Sequence, residues 1–353
     1  MGIVPKNVEF NKQLVKRLYN YDIQHMKELN GYDDRNYHLI TTDSKEFILK
    51  ITNKLESSQE GLLDSLNSLI LHLYNNGFKV TVPQINTNGK YLSFEDIPQE
   101  GQQENAIEKP YGVRLLEYIP GELLRGIPFT PEILEECGQV LAKMTITLQS
   151  YDSDVLQKRT TEWSLLRALD VRQYIDDVES EENRCIVRQS LDEFERTVMS
   201  RLHEFKHCII HGDFNEMNII VDKNLKMGND YHVKGIIDFG DSHYAPQLFD
   251  LAIHLCYSIL MFTAGPVIYA PAFGLRGYQK FVDLNNNELN ALYSCIKARL
   301  CQSLVLGAHS SKLDPTNTYV LTTAKTGWSA LKALHDCNPK DLLSKWLNID
   351  KYM

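Results

Sequence analysis

Apolar residues along this chain recur in two rhythms, and the change from one to the other divides it. In residues 46–52 they alternate: Phe47, Leu49 and Ile51 point one way, Ile48 and Lys50 the other. That alternation predicts a strand whose second face sets a lysine beside an apolar side chain. Strands are also predicted at 23–29, 37–41, 80–85, 90–94 and 111–118, with turns at Thr42-Asp43-Ser44-Lys45 and Asn86-Thr87-Asn88-Gly89. Helical spacing predicts an opening helix over 6–19, with Phe10, Leu14 and Leu18 on one face. A second covers 59–74, where Leu62, Leu63, Leu66, Leu69, Ile70 and Leu73 form a core stripe before Asn76-Gly77 stops it. From residue 121 onward helices dominate. Thr130 caps one with Pro131 in its first turn, and others are expected near 163–178, 182–205, 249–262, 288–306 and 323–335. Short strands interrupt them only at 208–210, 219–221 and 233–237. The shift predicts an α+β fold in which a smaller mixed lobe precedes a larger helical one.

Bulk properties narrow the function. The 353 residues suit roughly two domains, and 43% hydrophobic with 24% charged residues is ordinary globular composition. A formal charge of −9 disfavours a general nucleic-acid binder and is compatible with a cationic substrate, although a solvated acidic surface accounts for it equally well. Seven scattered cysteines without a C-x-x-C pair read as buried free thiols of a reducing compartment. Cys208 and His211 are three apart, but no second ligand pair accompanies them as a zinc site needs. The first residues lack a charged segment followed by an apolar one, and Lys6 stands where a myristoylation signal wants Ser or Thr. The most apolar stretch, 251–264, contains His254 and Ser258 and is too short to span a membrane. A cytoplasmic protein without membrane or nucleic-acid partners is expected.

The chemistry lies in the strand-and-loop interruptions. His211-Gly212-Asp213-Phe214-Asn215-Glu216-Met217-Asn218 sits between two short apolar runs, and Gly235-Ile236-Ile237-Asp238-Phe239-Gly240-Asp241 ends another. Phosphoryl transfer asks little covalent help of a protein; it needs an acceptor hydroxyl held in line and charge neutralised at the phosphates. Mg²⁺, a hard cation, takes oxygen ligands. Two carboxylates and an amide on adjacent loops supply such a set. An isolated Asp before Phe-Gly is usually a turn, so the weight rests on the two motifs together in strand–loop context.

These motifs resemble the catalytic and metal-binding loops of the protein-kinase-like fold. The H-G-D-x-x-x-x-N form, complete in His211, Gly212, Asp213 and Asn218, is similar to that of the aminoglycoside phosphotransferase family of small-molecule kinases. The resemblance implies that Asp213 orients the substrate hydroxyl, that Asn218 and Asp238 hold Mg²⁺, and that His211 braces the loop. Lys50 resembles the strand lysine that meets the α- and β-phosphates, with Ile48 against the base. A carboxylate on the following helix would aim that lysine: Asp64 as first choice, Glu60 as the alternative. Leu115 to Gly121 resembles the hinge, where the carbonyl of Glu117 and the amide of Ile119 would meet the purine edge; that leaves GTP and ATP undistinguished. No G-x-G-x-x-G precedes Lys50 and no A-P-E follows Asp238, which points to a small substrate. Asp250-Leu251-Ala252 resembles a triplet of the same branch whose aspartate is mainly structural.

Within the branch, Tyr32-Asp33-Asp34-x-Asn36, the H-G-D-F-N-E loop and I-D-F-G-D look most like the hydroxylysine kinase subfamily. That resemblance implies phosphorylation of 5-hydroxy-L-lysine with GTP. The expected layout is a nucleotide-binding N-lobe over 1–114 (antiparallel sheet plus one helix), a hinge at 115–121 and a helical C-lobe over 122–353. Asp241 and Glu216 are the acids nearest the transferred phosphate in sequence, and so candidates to face the substrate's amines; each could equally be a solvated loop carboxylate. The rivals are a kinase for another amine-bearing alcohol (aminoglycoside, choline or homoserine) and a catalytically dead nucleotide-binding protein, which would not need Asp213, Asn218, Asp238 and Lys50 together.

Overall fold

The computed structural model describes residues 4, 6–29, 31, 33–98, 110–224, 230–314 and 323–352; Tyr32 and the expected loop at 99–109 lie outside them. Contacts divide the chain into two compact units, Met1–Pro120 and Gly121–Met353.

In the first unit, α1 (Val8–Tyr19) is capped by Asn7, whose Oδ1 accepts from the Phe10 amide at 3.0 Å. Strands β1 (Ile23–Leu29), β2 (Arg35–Thr41) and β3 (Glu46–Thr52) follow, then α2 (Lys54–Ser57), α3 (Leu62–Asn75), β4 (Ser93–Glu95) and β5 (Tyr111–Glu117). They form one antiparallel sheet in the order β1-β2-β3-β5-β4. The predicted alternation in β3 is realised: Phe47, Leu49 and Ile51 join Leu14, Val15 and Leu18 of α1 and Tyr111, Val113 and Leu115 of β5 in one buried cluster.

The opposite face of the sheet meets α3. Gly112 leaves room there for Leu63, whose Cδ1 would stand 2.1 Å from a Cβ at that position, and Arg114 donates to Asn67 Oδ1 at 3.2 Å. Lys50 is the register partner of Arg114 and shares this face. The strand expected at 80–85 forms no regular ladder. Pro83, which has no N–H to give, makes an isolated bridge to Leu116, flanked by the Gln84 amide to Leu115 O and the Glu117 amide to Val82 O. Besides α1 and α3, which the helical spacing predicted, the unit holds the four-residue α2, which it did not.

The second unit begins with β6 (Glu122–Leu123) and α4 (Pro131–Leu148), where Thr130 and Pro131 take the cap and first-turn places their sequence predicted. Helices α5 (Asp154–Lys158) and α6 (Glu181–Thr197) follow; the segment expected as helix at 163–178 is a 3₁₀ run, Leu165–Asp177. Next come β7 (His207–Ile210), β8 (Ile219–Asn224), β9 (Asp230–Ile236) and β10 (His243–Pro246). Strands β6, β8 and β9 pair in one small sheet, and β10 pairs with β7 in another. The chain closes with α7 (Leu248–Met261), α8 (Ala270–Gln279), α9 (Asn286–Leu313), α10 (Ala324–His335) and α11 (Pro339–Leu347).

Helix α8 went unforeseen because Pro271, Gly274 and Gly277 depress its helical signal. Those glycines are what its packing requires. A Cβ on Gly277 would lie 1.9 Å from Glu135 O, and one on Gly138 of α4 would lie 2.0 Å from Gly274 O. The backbones of α4 and α8 therefore touch directly. Helix α9 is buried on nearly every side along residues 291–307, as a central helix must be. Among the described residues no helix is long and apolar enough to cross a membrane. All seven cysteines are free, but Cys185 is exposed, contrary to the expectation that the thiols are buried.

Candidate active site

The loop between β7 and β8 is held from beneath. Asp250, at the start of α7, is buried; its two carboxylate oxygens accept the amides of His211 at 2.7 Å and Gly212 at 2.8 Å. Burial raises the Asp250 carboxyl above the usual range, and the two backbone amides it accepts oppose that rise. Gly212 has a φ of +83°, and a Cβ there would fall 2.2 Å from Asp241 O, so no other residue fits without displacing the second loop. His211 is spent on the backbone: Nδ1 accepts the Asp213 amide at 3.2 Å, and Nε2 lies 3.0 Å from Ile237 O. It is a brace between the two loops.

The loop thus presents Asp213, whose carboxylate is fixed at both oxygens. Asn218 Nδ2 donates to Asp213 Oδ2 and to its backbone carbonyl, each at 2.9 Å. Arg299 Nη2 donates to Oδ1 at 2.8 Å. With its nitrogen committed, Asn218 keeps Oδ1 for another partner. Asp238 has φ +57° and an exposed side chain, and its Oδ1 accepts the Gly240 amide at 3.3 Å. A neutral amide oxygen and an exposed carboxylate are donors of the hard type that Mg²⁺ takes. Clusters of three or more His, Cys, Asp or Glu suited to a metal do not occur among the described residues.

Glu216 is the unexpected member. Sequence could not separate it from a solvated acid, yet it is buried and its Oε2 has no hydrogen-bond partner. Burial above all pushes its carboxyl up to about 7; a hydrogen bond from its own backbone opposes this and the Asp213 charge adds to it. Asp241 is half-buried, with its carbonyl accepting from His243 Nδ1 at 2.7 Å.

In the first unit, Lys50 lies 3.2 Å from Asp34 Oδ2, and both side chains are largely buried. Asp34 Oδ1 accepts the backbone and side-chain amides of Asn53, each at 2.9 Å. This corrects the expected pairing. Asp64 and Glu60 are exposed. On α3 the residues turned to the sheet are Leu63 and Asn67, and Asp64, about 100° round the helix from Leu63, points outward. Ile48 is half-buried on the same strand face as Lys50. Glu117, the last residue of β5, forms an ion pair with Lys79, and Ile119 is buried.

Arg299 was missed altogether. The available signal was an arginine flanked by apolar residues in the middle of a long helix (Ile296, Ala298, Leu300), since a buried charge must have a partner.

A loop braced in this way, offering one clamped carboxylate beside oxygen donors, is the equipment of a phosphoryl transferase. A model of the phosphotransferase enzyme family matches residues 25–281, and the chain belongs to that family. It is a small-molecule kinase, a phosphotransferase with an alcohol acceptor. Along almost its whole length it is similar to hydroxylysine kinases. That of Xenopus laevis is 32% identical over 97% of this chain and 93% of its own length, and that of Bos taurus 33% over 96% and 92%. Among solved structures, amicoumacin kinase hAmiN in complex with AMP-PNP, Ca²⁺ and Ami superposes with a TM-score of 0.70 at 16% identity, covering 96% of this chain and 97% of that one. The fold is protein-kinase-like, with a β-sheet N-lobe and a mainly helical C-lobe.

Proposed function

We propose that this kinase transfers the γ-phosphate of GTP to the side-chain hydroxyl of 5-hydroxy-L-lysine. The observation that carries the acceptor class is Glu216, a buried carboxylate with an unpartnered oxygen, three residues from the end of β8 nearest the loop and three from Asp213. Leaving such a group unsatisfied costs on the order of 1–3 kcal/mol, and a substrate ammonium would satisfy it. Asp241 is assigned to a second amine. The similarity to hydroxylysine kinases supports the particular acceptor.

Asp213 holds the acceptor hydroxyl in line and takes its proton late, a carboxylate being too weak a base to ionise an alcohol beforehand. Asn218 through Oδ1 and Asp238 through its carboxylate would hold Mg²⁺, which when bound neutralises charge on the phosphates. In the first unit Lys50, aimed by Asp34, is assigned to the donor's phosphates; Ile48 and the backbone of Glu117 and Ile119 are assigned to its base.

A coupled assay of purified protein tests the reading, with 5-hydroxylysine, homoserine, choline and an aminoglycoside as acceptors and GTP and ATP in parallel. Turnover is expected to be highest with 5-hydroxylysine and GTP. Preference for another acceptor would overturn the substrate, and preference for ATP would overturn the donor.

A further inference from the structure

We infer that Arg299 is a positioning residue for phosphoryl transfer, fixing the direction in which Asp213 meets the acceptor hydroxyl; this rests on the role assigned to Asp213 above. Asp213 is carried by a loop, and a loop carboxylate is free to turn about its side-chain bonds. The partner of its Oδ1 is not on that loop but on α9, 86 residues further along. Helix α9 is central and buried along residues 291–307, so it provides a packed reference that the loop itself lacks.

The guanidinium is fixed in turn. It is 1% exposed. Its Nη1 donates to Trp163 O at 2.5 Å and to Gln302 Oε1 at 3.3 Å, and the rings of Trp163 and Tyr257 lie at 5.3 and 5.5 Å. Gln302, one turn along α9, donates to the carbonyls of Glu162 at 2.9 Å and Ser164 at 3.2 Å. The segment that receives Arg299 is thereby bound to the helix that supplies it. Two side chains of α9 grip one stretch of backbone, and the remaining arm of the guanidinium reaches Asp213.

Two anchors then define the carboxylate plane: Arg299 at Oδ1 and Asn218 at Oδ2. Each oxygen has a second lone-pair direction, and 23% of the Asp213 side chain is open to receive a hydroxyl there. Arg299 itself is too buried to meet a substrate, so it acts through Asp213. A planar fork can hold the backbone and the carboxylate together; a lysine brings the charge but not the fork.

The test is a double-mutant cycle on turnover with 5-hydroxylysine and GTP, using Arg299→Lys, Asp213→Asn and the pair, with thermal melting of each. A lost orientation of this kind is expected to lower the turnover of Arg299→Lys by about 10²-fold. The KM for GTP should stay within twofold of the parent, with a cooperative melt retained. In the Asp213→Asn background the same change should cost little more, because its effect runs through the missing carboxylate. Turnover of Arg299→Lys within threefold of the parent, or a full additional loss in that background, overturns the inference while leaving the role of Asp213 intact. Parent-like turnover of Asp213→Asn overturns both. Should Arg299→Lys fail to melt cooperatively, Gln302→Met decides: it loosens the grip without removing the charge. It is expected to lower turnover about 3- to 10-fold at unchanged GTP KM, and parent-like turnover there overturns the inference.

Discussion

Asn218 and Asp213 are joined twice through one amide nitrogen, which meets both the carbonyl and the carboxylate of the aspartate at 2.9 Å. Asn218 therefore has one observed duty, at Asp213, and one proposed, the metal contact through Oδ1. Replacing Asn218 by alanine ends both. Turnover is expected to fall by about 10²-fold through misplacement of Asp213, and the Mg²⁺ needed for half-maximal rate should rise. Asp238→Asn removes one anionic ligand and should raise the Mg²⁺ requirement more steeply. Magnesium titrations of both variants that overlay the parent would refute the metal assignment.

The first unit offers a contrast between two aspartates. Asp34→Ala removes the ion pair to Lys50 and two hydrogen bonds to Asn53. Breaking a largely buried pair from one side is expected to destabilise this unit by about 3–5 kcal/mol, with a raised KM for the nucleotide at temperatures where the protein remains folded. Asp64→Ala changes an exposed helix residue and should leave stability within about 0.5 kcal/mol and kinetics unaltered. Urea denaturation and GTP titration of the two variants separate them. Equal losses would restore Asp64 as the partner of the strand lysine.

That contrast also shows where the sequence stopped. The alternation in β3 put Lys50 on the right face, because period-two burial follows from the backbone itself. The partner of Lys50 depends on a helical phase and on a turn that closes over the end of β3, and Asp34 carries no local mark of that closure. Asp213, Asn218 and Asp238 were legible because their spacing is a property of two short loops. Arg299 reaches the same loop from a helix far along the chain, a tertiary coincidence that no spacing encodes. Helix α8 was hidden for the opposite reason. Its glycines weaken the helix by itself and are chosen for contact with α4.

Glu216→Gln keeps the shape of the side chain and removes its charge. If Glu216 receives a substrate amine, the acceptor KM should rise about 10- to 100-fold, as the loss of a charge-assisted hydrogen bond predicts, with the KM for GTP unchanged. Initial rates at varied 5-hydroxylysine check this. An unchanged acceptor KM would move the amine site to other acids of the second unit.

Two histidines of the second unit bear on acid stability. His243, between Asp241 O and Ser164 Oγ and near Arg159, and His254, beside Phe214, are buried, and burial lowers the pKa of each to about 4. Between roughly pH 6.5 and 4 the unfolded chain binds a proton at each position and the folded chain does not. The two histidines' share of the stability should therefore fall as pH drops through this window, by up to about 1.4 kcal/mol per pH unit for each, against an opposite contribution from Glu216, whose folded carboxyl is pushed up to about 7. Melting temperatures from pH 7.5 to 4.5 should drop more steeply, or rise less, in the parent than in His254→Phe, the difference being the share of His254. A parent slope retained in that variant would exclude His254 as a source.

The bare contact between α4 and α8 has a consequence for how the protein is made. A ribosome finishes α4 more than a hundred residues before it supplies the glycines of α8 that lie against it. At about 5–20 residues per second, that interval is on the order of 6–25 s. Throughout it the face of α4 that meets α8 has no native cover, although β7, β9 and α7 become available earlier for its other contacts. A substitution such as Gly277→Ala, which places a methyl group against Glu135 O, would then be felt twice: once as lower stability of the finished enzyme, and once as a longer wait for closure, seen as a smaller soluble yield than its melting temperature alone would foretell.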